Sequence, residues 1–155
     1  MSILVTGGLG YIGSHICSLI KNPIIIDNKS NSDLNFKKKF PNSKVYLANI
    51  TKNNLKKVFS ENKITSIIHL AAFKSVEESL NKPLKYYNNN VSTLIHLIET
   101  MEEFKINKLI FSSSATVYGN KNKNPIKERN ELSSNNPYGN SKIICENIIS
   151  EYCKS

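Results

Sequence analysis

Apolar residues fall along the chain in two alternating patterns. Short unbroken runs read as buried strands: "ILVT" at 3–6, "IIID" at 24–27, "KVYLANI" at 44–50, "SIIHLAA" at 66–72 and "KLIFSSS" at 108–114. Between them the spacing becomes helical. "YIGSHICSLIK" carries apolar residues at 12, 16, 19 and 20, and Asn22-Pro23 ends it. "NNLKKVFSEN" reads as a short helix opened by a capping asparagine. Residues 84–104 form a long helix with Leu94, Ile95, Leu97, Ile98 and Met101 on its apolar side. A last helix starts near Pro137, a favoured first helical residue, and runs to the C-terminus. Apolar strands alternating with helices predict an α/β fold, a Rossmann-type doubly wound parallel sheet covered on both faces. Its crossovers should be right-handed.

Length and composition narrow the picture. At 155 residues the chain is expected to be one domain, 1–155, long enough to bury a core. Lys and Arg number 21 against 12 Asp and Glu, a formal charge of +9. That field favours anionic ligands, nucleotides among them. A nucleic-acid partner would call for clustered basic residues, whereas these lysines are scattered. The tight runs, Lys37-Lys38-Lys39 and Lys121/Lys123/Lys127, lie in loop-like sequence. Cys17, Cys145 and Cys153 have neither metal-site nor disulfide spacing and read as reduced thiols of a cytoplasmic protein, with no metal. The first strand begins at the second residue, so no signal peptide is expected, and no apolar run approaches a membrane span.

Chemistry concentrates at two places. Gly7, Gly10 and Gly13 stand between the first strand and its helix. In that setting the first glycine permits a tight turn, the second lets the backbone approach a pyrophosphate and the third lets the helix pack closely on the strand. The helix N-terminus then offers N–H groups and positive dipole to the phosphates. Asp27 ends the second strand, about 20 residues beyond Gly7, the position from which a carboxylate accepts hydrogen bonds from an adenosine ribose. Its charge would repel a 2′-phosphate, so NAD is expected over NADP. The second place joins "SSSATVYG" to "PYGNSK". Tyr138 and Lys142 are four apart on a predicted helix and share a face. A lysine ammonium and a positive nicotinamide would favour the phenolate, making Tyr138 a general base. Ser114 is expected to end the fifth strand, at the ligand-binding end of the sheet.

Together "LVTGGLGYIGSH", "DN" at 27–28, "KPLKYYNNNV" at 82–91, "FSSSATVYG" at 111–119 and "NPYGNSK" at 136–142 resemble the extended short-chain dehydrogenase/reductase family, and within it the N-terminal part of the UDP-glucose 4-epimerase family. The resemblance covers essentially the whole chain. It implies strand order 3-2-1-4-5, with the sixth strand and the C-terminal substrate domain absent. It implies that Tyr11 and Ile12 lie on the pyrophosphate of NAD, and that Asp27, Asn28, Lys29, Ser30, Asn31 and Ser32 surround the adenosine ribose. Asn49 and Ile50 would edge the adenine, Leu70, Ala71, Ala72, Phe73 and Lys74 would follow the cofactor, and Asn89 would reach it. Ser114, Tyr138 and Lys142 would be the catalytic set, with Ser114 and Tyr138 on the sugar of a UDP-sugar substrate. Hydride would pass from sugar C4 to NAD⁺ and return to the opposite face.

The pattern departs from the family at Asn49, where an aspartate is usual; asparagine can accept there through its amide oxygen but lacks the charge. The segment between the first helix and the third strand is also shorter than usual. A nucleotide-sugar 4,6-dehydratase is the nearest enzymatic alternative, but Ala115-Thr116 stand where a dehydratase carries Asp-Glu. A non-catalytic NAD-binding or interaction module is the alternative from another class. The family also implies dimerisation through the helices at 84–104 and 137–153, or a complementing C-terminal half.

Overall fold

The computed structural model describes residues 2–32 and 40–155. The Lys37-Lys38-Lys39 run lies outside them. The chain divides into two compact units, Met1–Ala71 with Ile95–Ser112, and Ala72–Leu94 with Ser113–Ser155.

The first unit holds a five-stranded parallel sheet in the order β3-β2-β1-β4-β5, as the family resemblance implies. The strands are β1 (Ser2–Thr6), β2 (Ile24–Asp27), β3 (Lys44–Leu47), β4 (Ile64–His69) and β5 (Leu109–Phe111). Side chains alternate between faces, as the two-residue repeat of a strand requires. Leu4, Ile24, Ile26 and Ile67 pack with Leu55, Val58 and Phe59 of α2 (Lys52–Ser60) and with Leu97 and Met101. Val5 and Ile25 pack with Leu9 and Phe40, and with Cys17 of α1 (Tyr11–Leu19). Each such aliphatic side chain, fully withdrawn from water, contributes roughly 1.5–3 kcal/mol.

The second unit holds α3 (Val76–Asn81), a 3₁₀ turn at Ala115–Tyr118 and α5 (Pro137–Lys154). The long helix α4 (Pro83–Glu103) gives its first residues to this unit and its last to the sheet unit.

Several boundaries differ from the sequence reading. β3 stops at Leu47 rather than 50, and β4 runs 64–69 rather than 66–72. β5 is three residues long because β4 pairs only with Leu109, Ile110 and Phe111. Ser114 therefore lies beyond the strand. Helix α2 is capped by Thr51, whose hydroxyl accepts from the Asn54 N–H at 3.3 Å, and not by an asparagine. Helix α1 ends at Leu19, ahead of Asn22-Pro23.

Candidate functional site

The glycine turn of the sheet unit is fixed by backbone geometry. Gly7 has φ +69°, its N–H donates to Ile26 O at 2.8 Å, and a Cβ there would lie 2.8 Å from Ala71 N. A Cβ on Gly13 would lie 2.1 Å from Gly7 O, so the close approach of α1 to this turn requires glycine. Gly10 is different. Its φ is −73°, and an added Cβ would meet only Gly7 O, at 3.3 Å. A side chain at Gly10 would thus ask Gly7 O to give by a few tenths of an ångström, far less than one at Gly7 or Gly13. Gly10 is the N-cap of α1, has no side chain to cap it, and the first turn carries no acidic residue. The N–H groups of that turn thus stay available to an anion. Tyr11 and Ile12 flank the turn, 72% and 57% exposed.

Asp27 is buried and already engaged. Oδ2 accepts from Leu9 N at 3.0 Å, and Oδ1 accepts from Lys29 N at 2.8 Å and Ser32 Oγ at 3.0 Å. A carboxylate has about four acceptor sites, so one remains beyond these three. Asp27 thus ties the glycine turn to the 28–32 segment and, among the described residues, keeps one acceptor site open. Lys29 is held at φ +63° in that segment. Asn28, Ser30 and Asn31 are exposed. Asn49 is exposed and bonded to Asn28, whereas the side chain of Ile50 is buried in the core with Leu55 and Ile26, leaving only its backbone for a ligand. After β4, Leu70 N donates to Thr6 O and Oγ1, and Ala71 N to Thr6 Oγ1 at 3.3 Å.

In the second unit, Asn90 organises three segments. Its Oδ1 accepts from Phe73 N at 2.9 Å, and its Nδ2 donates to Phe73 O and to Ser141 Oγ, both at 3.0 Å. Asn89 Nδ2 donates to Asn90 Oδ1. Phe73 packs on Tyr86, and Tyr86 meets Tyr138 edge-on with ring centroids 6.3 Å apart. The Tyr86 hydroxyl donates to Glu78 and accepts from Ser75 N. Lys74 is exposed in the same segment.

Tyr138 and Lys142 lie on the buried side of α5, one turn apart. Lys142 is 3% exposed, and burial pulls its ammonium pKa down to about 8, against the upward pull of Cys145 and Glu146. Ser114 caps the 3₁₀ turn: its Oγ accepts from Thr116 N at 3.3 Å and from Thr116 Oγ1 at 2.9 Å. With both lone pairs used, the Ser114 proton is left to donate to a third group. The turn and α5 meet closely at Gly139, where a Cβ would lie 2.9 Å from Thr116 O. Ser113 Oγ donates to Glu146 Oε1, tying the segment before the turn to α5.

The sequence singled out Ser114, Tyr138 and Lys142 but not Tyr86, Asn90 or Glu146, whose hydrogen bonds order the segments around them. One signal pointed to Asn90: it continues the buried stripe Tyr86, Leu94, Leu97, Met101, where a polar residue needs a partner.

In the sheet unit a turn open to an anion adjoins a strand-end carboxylate; in the second unit Tyr138 and Lys142 are buried on one helix, and Ser114 caps the 3₁₀ turn that packs on it. A family model described as GDP-mannose 4,6 dehydratase matches residues 4–155, and the chain belongs to that family. It is 43% identical over 159 residues to UDP-glucose 4-epimerase of Bacillus subtilis (strain 168), covering 96% of this chain and 47% of that protein. It is 42% identical over 163 residues to UDP-glucose 4-epimerase of Dictyostelium discoideum, covering 99% and 47%. The structure of UDP-glucose 4-epimerase from Bifidobacterium longum in complex with NAD+ and UDP superposes with a TM-score of 0.92 at 36% identity, covering 98% of this chain and 49% of that one. The chain spans about half the length of the curated relatives it matches. Among the described residues no helix is long and apolar enough to cross a membrane.

Proposed function

We propose that this chain is the NAD-binding, proton-transferring part of a UDP-glucose/UDP-galactose 4-epimerase, acting in the cytoplasm. The observation that carries the reading is the state of three side chains in one unit. Tyr138 and Lys142 are buried on one side of α5, and Ser114 has its acceptor sites filled and its proton free to donate. That arrangement serves proton exchange at a hydroxyl. Ser114 donates to the reacting sugar oxygen. Tyr138 takes the hydroxyl proton as the carbonyl forms and returns it on reversal. Lys142 as ammonium favours the Tyr138 phenolate and bonds the nicotinamide ribose.

Within the sheet unit, separate features suit the cofactor's phosphates and a ribose. The open side of Gly10, the free N–H groups of α1 and the fourth acceptor site of Asp27 suit a pyrophosphate and a ribose diol. When bound, NAD supplies the acceptor that takes and returns the hydrogen at sugar C4. Asp27 disfavours a ribose 2′-phosphate, so NAD is preferred over NADP. Asn28 to Ser32, Asn49, Leu70 to Lys74 and Asn89 complete the proposed contacts.

The solved relatives support the epimerase reading. One is bound to NAD and formylated UDP-arabinopyranose, at 34% identity and TM-score 0.92. The dehydratase reading is disfavoured because Ala115 has no titratable group and the Thr116 hydroxyl is committed to Ser114. Calorimetry tests the proposal: NAD should bind at least tenfold more tightly than NADP, an order of magnitude set by an unpaired charge. Equal affinities would refute the role of Asp27. Tyr138→Phe should leave NAD binding intact and abolish hydride transfer in a chain supplied with its C-terminal half; a retained rate would refute the role of Tyr138.

A further inference from the structure

We propose that Glu146 is a positioning residue for Ser114 and Lys142: its carboxylate anchors the residue before Ser114 and, one helical turn beyond Lys142, supplies the negative charge that holds Lys142 as the ammonium. The inference rests on the proton-transfer reading above and adds to it the group that keeps two of its members ready.

Tyr138, Lys142 and Glu146 follow one another at four-residue steps on α5, so they form one row along the helix. Lys142, in the middle, is 3% exposed, and Glu146 is half-buried. Ser113 Oγ donates to Glu146 Oε1. A hydroxyl has one proton to give, so this bond fixes the Ser113 side chain. The next residue is Ser114, which caps the 3₁₀ turn. One carboxylate thus joins the segment that leads into that turn to the stretch of helix that carries the lysine.

A buried ammonium is kept charged by a charge of opposite sign nearby. Burial pulls Lys142 down to about 8, while Cys145 and Glu146 pull it up. Cys145 is not that charge: burial pushes its thiol up to about 11, so it is neutral at the pH where Lys142 titrates. The first turn of α5 carries no acidic residue. The 3₁₀ turn, α3 and the start of α4 pack against α5. On α3, Glu77 is exposed, and Glu78 is bonded to Lys85 and Tyr86. The start of α4 adds Lys85 and the phenols Tyr86 and Tyr87, and the 3₁₀ turn adds the phenol of Tyr118. Glu146 is left as the carboxylate that acts on the lysine.

Urea melts of the cofactor-free chain test this across the pH range in which Lys142 titrates. The cost of the lysine to stability is full below its folded pKa and shrinks as pH rises toward 10.5. The pH at which it starts to shrink, read against Lys142→Met, therefore reports the folded lysine. Glu146→Gln keeps an amide oxygen for Ser113 but loses the charge, and should move that onset down by about half a pH unit or more. Glu146→Asp keeps the charge and should hold the onset nearer to that of the parent. Ser113→Ala loses the bond and keeps the charge; the onset should stay, while hydrogen exchange at 113–116 quickens. In calorimetry, the pH above which NAD affinity falls should drop with Glu146→Gln. In a Lys142→Met background the same change should leave the affinity where it was. An unchanged onset in Glu146→Gln overturns the proposal. An equal drop in Ser113→Ala overturns it too, since Glu146 would then be a tether alone. If NAD binds none of these chains the cofactor reading falls, and the melts still decide whether Glu146 holds the charge on Lys142.

Discussion

A methyl group separates the two roles of the glycine turn. At Gly13 it would meet Gly7 O at 2.1 Å, so Gly13→Ala should cost about 2 kcal/mol or more as α1 is forced away. At Gly10 it would lie 3.3 Å from the same oxygen, a tight contact that a small shift relieves, and alanine for glycine at an N-cap costs roughly 0.5–1 kcal/mol. Gly10→Ala should therefore cost only about 1 kcal/mol, well short of Gly13→Ala, and yet lose NAD affinity about tenfold or more. Urea melts and calorimetry on the same samples separate the two effects. A Gly10→Ala chain with unchanged affinity would show that nothing docks on that side. Lys142 carries the opposite conflict. Its pKa falls from 10.5 to about 8 on burial. Between those values the unfolded chain binds the extra proton, so this group's contribution to stability rises with pH across that window and is at its least below about pH 8. Burying the ammonium thus costs roughly 3 kcal/mol at neutral pH. Lys142→Met should stabilise the cofactor-free chain at pH 7, and the difference should shrink toward pH 10.5 in urea melts. Cofactor affinity of the lysine chain should fall above about pH 8 as the charge is lost.

At the level of elements, the second unit depends on a side chain that imitates a backbone. Asn90 of α4 meets both the N–H and the C=O of Phe73 and donates again to Ser141, the residue before Lys142. Asn90→Leu removes all three bonds and leaves Phe73 polar groups without them, a cost of about 2–4 kcal/mol. Hydrogen exchange should accelerate first in 72–75 and the start of α5; uniform exchange across the chain would argue against this coupling. The helical stripe Tyr86, Leu94, Leu97, Met101 marks Asn90 as the asparagine of "NNN" that turns inward, but which groups it meets is decided only when the helix is packed. The turn at Gly7, the close packing at Gly13 and the place of Asp27 at the end of β2 were legible since strand, turn and helix dictate them locally. Strand ends were not, because pairing decides them: "KLIFSSS" is apolar enough for a longer strand, yet β4 offers partners to only three of its residues. Helix α3 escaped notice because, with Ser79 its one buried residue, it shows no apolar period. Ser114 was found by its motif, but the capping bonds that leave its proton free required the fold.

For the whole molecule, the edge of the sheet sets the behaviour in solution. β5 is an edge strand, and Ile110 at its centre is 64% exposed. Such an edge can offer backbone groups to another chain beside the exposed Ile110 side chain. The other unit separately exposes Leu80, Leu84 and Ile144. A net charge of +9 opposes contact between copies at low salt, and screening weakens that opposition within a Debye length of about 10 Å at 0.1 M. Association should therefore grow with salt rather than dissolve, the reverse of an interface held by ion pairs. Light scattering at tens of micromolar should show more than one chain per particle, increasingly so from 50 to 500 mM salt. Ile110→Lys places a charge on the edge and should lower the associated fraction several-fold, while shifting stability by no more than about 0.5 kcal/mol, as for other surface changes. A parent chain that stays monomeric at every salt concentration would refute the edge as a docking strand. Association of Ile110→Lys equal to the parent would move the contact to Leu80, Leu84 and Ile144 instead.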